Sequence, residues 1–299
     1  MSTTQADGGR TWLPGPVAIT GAGGHVGTHL QARLREMPNE VRALGRDDDA
    51  VTAFRDADAV IHLAGTLAPR GGDGYEAANV ETVRRTVAAL DGSAVQRVVF
   101  LSYPGADPGS PNDYLRTKGA AEALVHACGR RAVVVRSTFI YGPPEDPGPS
   151  ATAFISRDGK PVSVIGSGRQ RYAPVYVGDV AETLLRFALD PETPSGTFAL
   201  AGPDTITVDA FADALGGSSV RKRHIGARLA QVLARVVPSL TPAMVDILAA
   251  DSLPDGPAAA TALGLRFRPI TDRYPTERDR GRAAARRSDP NNEGGAHVS

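Results

Sequence analysis

The fold is decided by a stretch near the N-terminus, Val17-Ala18-Ile19-Thr20-Gly21-Ala22-Gly23-Gly24-His25-Val26-Gly27. It begins with a short apolar run of the kind that forms a buried strand, and apolar residues recur at helical spacing from Val26 to Leu34. Between the two runs, Gly21, Gly24 and Gly27 form a G-x-x-G-x-x-G pattern. The stretch therefore predicts a strand, a tight turn and a helix.

Each glycine of this pattern has a physical reason. The first permits the tight turn, the second lets a phosphate approach the backbone, and the third lets the helix pack closely on the strand. The start of the helix offers free N–H groups and a partial positive charge to an anion. The pattern thus predicts a dinucleotide site, with these candidate cofactor-binding residues: Gly21, Gly23, Gly24, His25, Val26 and Gly27.

The residues after the second predicted strand, 41–44, indicate which dinucleotide binds. An NAD site usually has Asp or Glu at this point to bind the ribose 2′-hydroxyl. This chain has Gly45 there and Arg46 beside it. An arginine pairs with a 2′-phosphate, whereas a carboxylate repels it. We therefore favour NADP(H). NAD stays open, because Asp47 or Asp48 can turn back towards the hydroxyl.

The rest of the pattern alternates strands with helices. Further strands are predicted at 60–64, 98–101 and 132–135, and helices at 77–90 and 114–128. These apolar strands do not alternate with polar residues, as expected when helices cover both faces of a parallel sheet. We predict an α/β fold, a Rossmann-type doubly wound parallel sheet with a small C-terminal α/β substrate lobe. The segment between Arg46 and Ile61 is too short for a full crossover, so one edge unit of the sheet should be shortened or missing.

The predicted organisation has four parts. They are a flexible N-terminus at 1–15, a dinucleotide-binding domain at 16–150, a substrate lobe at 151–274 that is interleaved with the main domain, and a disordered basic tail at 275–299. The tail has arginines and polar residues but almost nothing to bury.

Composition narrows the class of protein. The 299 residues include 33 basic and 33 acidic ones, and a zero net charge argues against a general nucleic-acid binder. The one cysteine, Cys128, allows no internal disulfide and fits a reducing compartment. We see no signal peptide and no membrane span, so we expect a cytoplasmic protein whose partner is a small-molecule substrate. A homodimer is left open.

Four segments occur in the order found in extended or atypical short-chain dehydrogenase/reductases, which the chain resembles. They are residues 20–27, His62-Leu63-Ala64-Gly65, Tyr114-x-x-x-Lys118 and residues 136–142. The segment 171–181 resembles the one that precedes the substrate-lobe helix of these proteins. Residues 200–208 are similar to the NmrA-like branch, and residues 221–253 to relatives of the accessory NADPH-binding subunit of respiratory complex I.

The resemblance implies catalytic roles. Tyr114 would donate or accept a proton at a carbonyl or hydroxyl, and Lys118 would bind the nicotinamide ribose and lower the pKa of Tyr114. Local physics agrees, since residues four apart share a helical face and an ammonium favours a nearby phenolate. The family's third residue is a Ser or Thr. Here Ser102 comes first, and Tyr103 and Pro104 occupy the usual later positions. Ser102 therefore either reaches the site or is bonded to the backbone at the end of its strand.

Further candidates are weaker. Leu63, Ala64 and Gly65 should line the cofactor, because small residues after a strand let the nucleotide approach. Arg171 lies where some relatives hold a substrate phosphate. Asn79 either holds backbone near the site or is exposed. No metal site is expected, because His25, His62 and His126 lack metal-ligand spacing with cysteines or carboxylates.

Three functions follow as hypotheses. The first is an NADP(H)-dependent oxidoreductase in which Tyr114 handles the proton. The second is an NAD-dependent nucleotide-sugar epimerase or dehydratase in which Arg171 binds diphosphate. The third is a non-catalytic NADPH-binding sensor or structural subunit, which the displaced serine keeps open.

Overall fold

The computed structural model describes residues 4–5, 11–69, 74–156, 158–216, 219–237 and 239–275. Its strands are β1 Thr4–Gln5, β2 Thr11–Trp12, β3 Val17–Thr20, β4 Val41–Leu44, β5 Ala59–His62, β6 Arg97–Ser102, β7 Arg131–Ser137, β8 Ile140–Tyr141, β9 Val162–Ile165, β10 Arg171–Tyr172, β11 Val175–Tyr176, β12 Gly196–Leu200, β13 Ile206–Thr207 and β14 Lys222–Ile225.

The helices are α1 His25–Leu34, α2 Ala50–Phe54, α3 Thr82–Ala88, α4 Asp113–His126, α5 Pro149–Thr152, α6 Val177–Leu189, α7 Val208–Gly216, α8 Ala227–Leu233, α9 Pro242–Ala249, α10 Ala259–Leu263 and α11 Ile270–Arg273. A π-helical segment, Glu76–Glu81, leads directly into α3. None of the described helices is both long enough and apolar enough to cross a bilayer.

A six-stranded sheet forms the centre of the molecule. Its order is β12-β7-β6-β5-β3-β4, and every neighbouring pair is parallel. Only the five-residue helix α2 lies in the connection from β4 to β5, and no strand is paired beyond β4 among the described residues. This confirms the doubly wound parallel sheet and the missing edge unit.

Two apolar layers cover the sheet because successive strand residues point to opposite faces. In β3, Val17 and Ile19 pack in the core formed with α1 and α6, whereas Ala18 packs in the core formed with α2, α3 and α4. The strands are buried on both faces, and this is why they read as continuous apolar runs. β12 belongs to the same sheet, so the C-terminal half of the chain contributes to the main body.

A smaller lobe has its own aromatic core. Phe139, Tyr172 and Phe211 meet there, with the rings of Phe139 and Tyr172 stacked at 5.1 Å. Short strand pairs surround this core: β9 with β14, β10 with β13, and β8 with β11.

The chain ends fall largely outside the described residues. Of the predicted flexible N-terminus, residues 4–5 and 11–15 are described, and Trp12 is buried in the main core. β1 pairs with β2 in antiparallel fashion. The predicted basic tail lies outside the described residues except for Pro275.

Candidate active site

The carboxyl ends of the parallel strands meet at one edge of the sheet. Thr20, Leu44 and His62 end β3, β4 and β5, and β3 lies between the other two strands. The chain continues from β3 and from its neighbour β5 towards opposite faces of the sheet. Parallel α/β sheets bind ligands in the crevice that opens between two such strands. A cleft of about 750 Å³ opens there, between the glycine turn after β3 and the start of α3.

The glycine turn has the predicted geometry. Gly21 has φ +70°, and a Cβ on it would lie 2.7 Å from the backbone nitrogen of Ala64. Gly24 donates its N–H to the oxygen of Gly21 at 3.0 Å and precedes the first residue of α1. A Cβ on Gly27 would lie 2.4 Å from the oxygen of Ala22. The turn is therefore tight at Gly21 and closely packed at Gly27, while Gly24 borders the cleft.

The cleft fits a dinucleotide. Its walls include Gly21, Gly24 and the small residues Ala64 and Gly65, and the start of α1 presents N–H groups at its base. His62 also borders it, with Nε2 buried and without a hydrogen-bond partner among the described residues. Of the other predicted cofactor residues, Leu63 and Arg46 line the cleft, and His25 and Val26 begin α1.

His62 is a neutral, buried member of the wall. Its Nδ1 lies 2.9 Å from Thr20 Oγ1 and 3.0 Å from Thr86 Oγ1. Burial lowers the pKa of His62 to about 3, and the nearby Lys118 charge contributes. The ring is therefore uncharged at neutral pH and cannot serve as a cation for phosphate.

Arg46 shares its end of the cleft with carboxylates. Arg46 is exposed at the rim, and Asp48 and Asp49 line the same cleft. The Asp48 carboxylate accepts the N–H of Gly45 at 2.7 Å, and Asp49 caps α2 by accepting the N–H groups of Val51 and Thr52. Both acidic side chains thus have backbone partners.

A second cavity, of about 150 Å³, brings together the three predicted catalytic residues. Ser102, Tyr114 and Lys118 all line it, and Gly65 and Leu63 belong to both cavities. Ser102 Oγ is buried with no hydrogen-bond partner among the described residues. The alternative in which Ser102 bonds to the backbone is therefore wrong. Among the described residues the Tyr114 hydroxyl has no hydrogen-bond partner, and the Tyr114 ring packs on Tyr75 and Tyr103.

The electrostatics of this cavity differ from the expectation. Lys118 Nζ donates to the oxygen of Leu101 at 2.6 Å and lies 4.0 Å from the centre of the Phe100 ring. Burial lowers the pKa of Lys118 to about 7. Burial and the neighbouring Tyr103 and Tyr75 raise the pKa of Tyr114 well above its ordinary value. The predicted lowering of the Tyr114 pKa by Lys118 is wrong for this structure, because the amine faces a strand carbonyl.

Tyr103 stands at one of the positions where the resemblance implies a Ser or Thr, and its contacts show what it does there instead. Its hydroxyl donates to Ser252 Oγ at 3.0 Å, and its ring contacts Tyr114 at 5.8 Å between centroids. Where the resemblance implies a small hydroxyl residue, this chain has an aromatic ring whose contacts join α4 to the segment after α9. Ser102 and Ser137 both line the cavity, and the Ser137 hydroxyl donates to the oxygen of Thr138 at 3.2 Å.

Of two further candidate residues, Asn79 is buried near the site and Arg171 is exposed. Asn79, in the π-helical segment, is buried, accepts the N–H of Thr66 at 2.8 Å and donates to Thr117 Oγ1 at 3.2 Å. It thus fixes backbone between the two cavities, and the exposed alternative is wrong. Arg171 is exposed, pairs with Asp251 at 2.9 Å, and does not line the catalytic cavity.

One cluster was not foreseen by the sequence analysis. His25, His29 and Asp146 place ligand atoms within 4.8 Å of one another. The sequence analysis expected no metal site at His25, because no carboxylate lies at ligand spacing from it along the chain, and the cluster leaves that expectation untested. The four-residue spacing of His25 and His29 was a visible signal, whereas Asp146 is 117 residues beyond His29 and only the fold brings it there.

Comparisons with known proteins place these features in a family. The family model described as "NAD dependent epimerase/dehydratase family" matches residues 17–201. The mitochondrial NADH dehydrogenase (ubiquinone) 1 alpha subcomplex subunit 9 of Arabidopsis thaliana is 28% identical over 236 residues, which cover 69% of this chain and 58% of that protein. A ceramide reductase of Caulobacter vibrioides is 28% identical over 199 residues, covering 59% and 62%. The chain thus spans only part of the length of these relatives.

Solved structures share the fold at low identity. UDP-glucuronic acid 4-epimerase from Bacillus cereus in complex with NAD has a TM-score of 0.65 at 19% identity, covering 90% of this chain and 99% of that chain. UDP-glucose 4-epimerase from Thermotoga maritima with UDP-glucose has a TM-score of 0.65 at 17% identity, with the same coverage. The match over residues 17–201, together with this fold, shows that the chain is an extended short-chain dehydrogenase/reductase and belongs to the NAD dependent epimerase/dehydratase family.

Proposed function

We propose that this protein is an NADP(H)-dependent oxidoreductase acting on a carbonyl or hydroxyl group of a small molecule. The observation that carries the proposal is the shared cavity of Ser102, Tyr114 and Lys118, which adjoins the dinucleotide cleft through Leu63 and Gly65. A nicotinamide dinucleotide, when bound, supplies or accepts the hydride.

The chain's own residues would have distinct tasks. The N–H groups at the glycine turn and the start of α1 hold the phosphates, and Arg46 pairs with a 2′-phosphate. Ser102 Oγ, which is buried without a hydrogen-bond partner in the described part of the chain, would donate a hydrogen bond to the substrate oxygen. An unsatisfied buried hydroxyl costs free energy, so a substrate oxygen that accepts this hydrogen bond gains affinity.

Tyr114 is the proposed acid. Its raised pKa keeps the phenol protonated at neutral pH, which suits donation of a proton to a carbonyl oxygen as it is reduced. Lys118 Nζ donates one hydrogen to the oxygen of Leu101, and its others would be free to bind the hydroxyls of a nicotinamide ribose.

The experiment is a search for turnover followed by a matched pair of variants. Purified chain is tested for NADPH oxidation with aldehydes, ketones and enones. Tyr114→Phe should lower kcat by at least about 100-fold, because it removes the acid, and leave the Kd for NADPH nearly unchanged. Tyr75→Phe is the control, since its ring contacts Tyr114 while its hydroxyl is bonded to Leu67 and Thr241. Equal activity in Tyr114→Phe and the unmodified protein would contradict the proposal.

A non-catalytic NADPH-binding role is the second candidate. It is favoured by the orientation of Lys118 towards Leu101 and by relatives named as subunits of NADH dehydrogenase. In that case NADPH raises the Tm, while no substrate is turned over.

An epimerase role has support from the names of the structural neighbours. It predicts tighter binding of NAD than of NADP, and release of Arg171 from Asp251 to hold diphosphate.

A further inference from the structure

Two histidines and an aspartate meet beside the glycine turn, on the side of α1 that faces the loop after β8. His25 is the first residue of α1 and His29 lies one turn later, so both rings project from one helical face. Asp146 comes from the loop between β8 and α5. Its Oδ2 lies 3.4 Å from His25 Nδ1 and 3.3 Å from His29 Nε2.

These separations lie at the long end for a hydrogen bond and are compatible with a metal site. A charge-assisted hydrogen bond between a ring nitrogen and a carboxylate is usually about 2.7–2.9 Å long. By contrast, a tetrahedral zinc ion with bonds of about 2.0–2.1 Å holds neighbouring ligand atoms about 3.3 Å apart. Both histidine-to-aspartate separations match that edge, and all three ligand atoms lie within 4.8 Å of one another.

The loop holds the His25 ring in one orientation. A Cβ on Gly148 would lie 2.6 Å from His25 Nε2, and one on Gly142 would lie 2.9 Å from His25 Cε1. The ring is thus enclosed by two glycines, with Nε2 buried and Nδ1 facing Asp146. The loop itself is closed by the N–H of Gly142, which donates to Pro147 at 2.9 Å. A ligand whose rotamer is locked by packing is what a preorganised metal site requires.

We propose that His25, His29 and Asp146 form a binding site for a divalent transition-metal ion, Zn²⁺ being the best match. Two imidazoles and a carboxylate are a donor set that suits Zn²⁺ rather than Mg²⁺ or Ca²⁺. Three protein ligands leave the fourth position to water. The Asp146 side chain is 56% exposed, so the ion can enter from solvent.

The site would connect two functional segments. α1 begins at the dinucleotide turn, and the loop after β8 follows Ile140, which lines the catalytic cavity. A bound ion ties these segments together and stabilises the folded state by mass action. This inference is independent of the proposed function, because the ion is held whether or not the cofactor site turns over.

The test is a titration of the untagged full-length chain, freed of metal with a chelator and without nucleotide. Calorimetry with Zn²⁺ should show one equivalent bound per chain, and Co²⁺ should give the absorption of a tetrahedral nitrogen–oxygen site. His29→Ala and Asp146→Asn should each weaken Zn²⁺ binding by at least about 10-fold, since even outer-shell changes cost that much. The Zn²⁺-induced rise in Tm should fall with them.

The control is His224→Ala. His224 and Asp209 form an exposed histidine–carboxylate pair at 2.8 Å that has no second histidine among the described residues. This variant should bind Zn²⁺ as the unmodified chain does. Loss of binding in His224→Ala equal to that in His29→Ala would overturn the proposal, and so would the absence of saturable binding. Because Asp146 is exposed and His29 is only half-buried, both variants should fold, and far-ultraviolet circular dichroism checks this.

Discussion

Lys118 and Leu101 are joined by a hydrogen bond of 2.6 Å between the side-chain amine and the last strand carbonyl before Ser102. The amine also lies over the Phe100 ring and is buried beneath the catalytic cavity. The hydrogen bond holds α4 against the carboxyl end of β6. Because the Lys118 amine is buried there, the residue that positions the helix of Tyr114 costs free energy when it is protonated.

The stability of the protein should depend on pH through Lys118. Its pKa is about 7 in the folded protein against an ordinary value of 10.5. Between these values the unfolded chain holds a proton that the folded chain has lost, so the free energy of unfolding rises with pH. Relative to Lys118→Met, the unmodified protein should gain up to about 1.4 kcal/mol per pH unit from pH 7 upwards.

Urea unfolding of both proteins at several pH values between 7 and 9 measures this difference. Other groups that titrate in this range cancel in the comparison. Parallel curves for the two proteins would show that Lys118 keeps its ordinary pKa.

Gly27 should be intolerant of a single added methyl group. In Gly27→Ala the Cβ would lie 2.4 Å from the Ala22 oxygen and 2.7 Å from its carbonyl carbon, both of them backbone atoms. The turn must move, so we expect a loss of about 1–3 kcal/mol in the free energy of unfolding and weaker NADPH binding.

Gly23→Ala is the matched control for this prediction. It lies in the same turn, yet a Cβ there has no heavy atom within 4 Å. Its stability should change by less than about 0.5 kcal/mol. If both variants lose the same stability in urea unfolding, the close packing of α1 on the turn is not the cause.

Arg46 should decide between the two dinucleotides. Arg46→Ala should weaken NADPH binding by about 10- to 100-fold and leave NADH binding nearly unchanged, because only NADPH carries the 2′-phosphate. Calorimetric titration with each dinucleotide measures the two affinities.

Arg85→Ala controls for the general charge of the cleft. Arg85 is also exposed and lines the same cleft from α3. If this variant loses NADPH as strongly as Arg46→Ala, then the positive charge of the cleft, and not a contact at Arg46, sets the preference. A preference for NADH in the unmodified protein would assign the role to the carboxylate of Asp48 or Asp49.

Local chemistry made much of this protein predictable from its sequence. The glycine turn, the buried strands and the Tyr114–Lys118 pair depend on spacings within one segment, and a strand or helix converts such spacings directly into position. The absent edge unit followed from the short segment between Arg46 and Ile61, because chain length limits what a crossover can contain. The sequence did not reveal the π-helical segment that turns Asn79 inwards, since it differs from an α-helix by a single backbone shift.

Only the tertiary structure decided how distant residues meet. It placed Lys118 against Leu101, paired Arg171 with Asp251, and brought Asp146 to His25 and His29. It also buried Ser102 Oγ where no other described residue offers it a hydrogen bond. Burial, and with it the pKa of each group, comes from packing by segments far away in the chain. Sequence spacing determines which side chains share an element, whereas the electrostatics of a site depend on which elements exclude water from it.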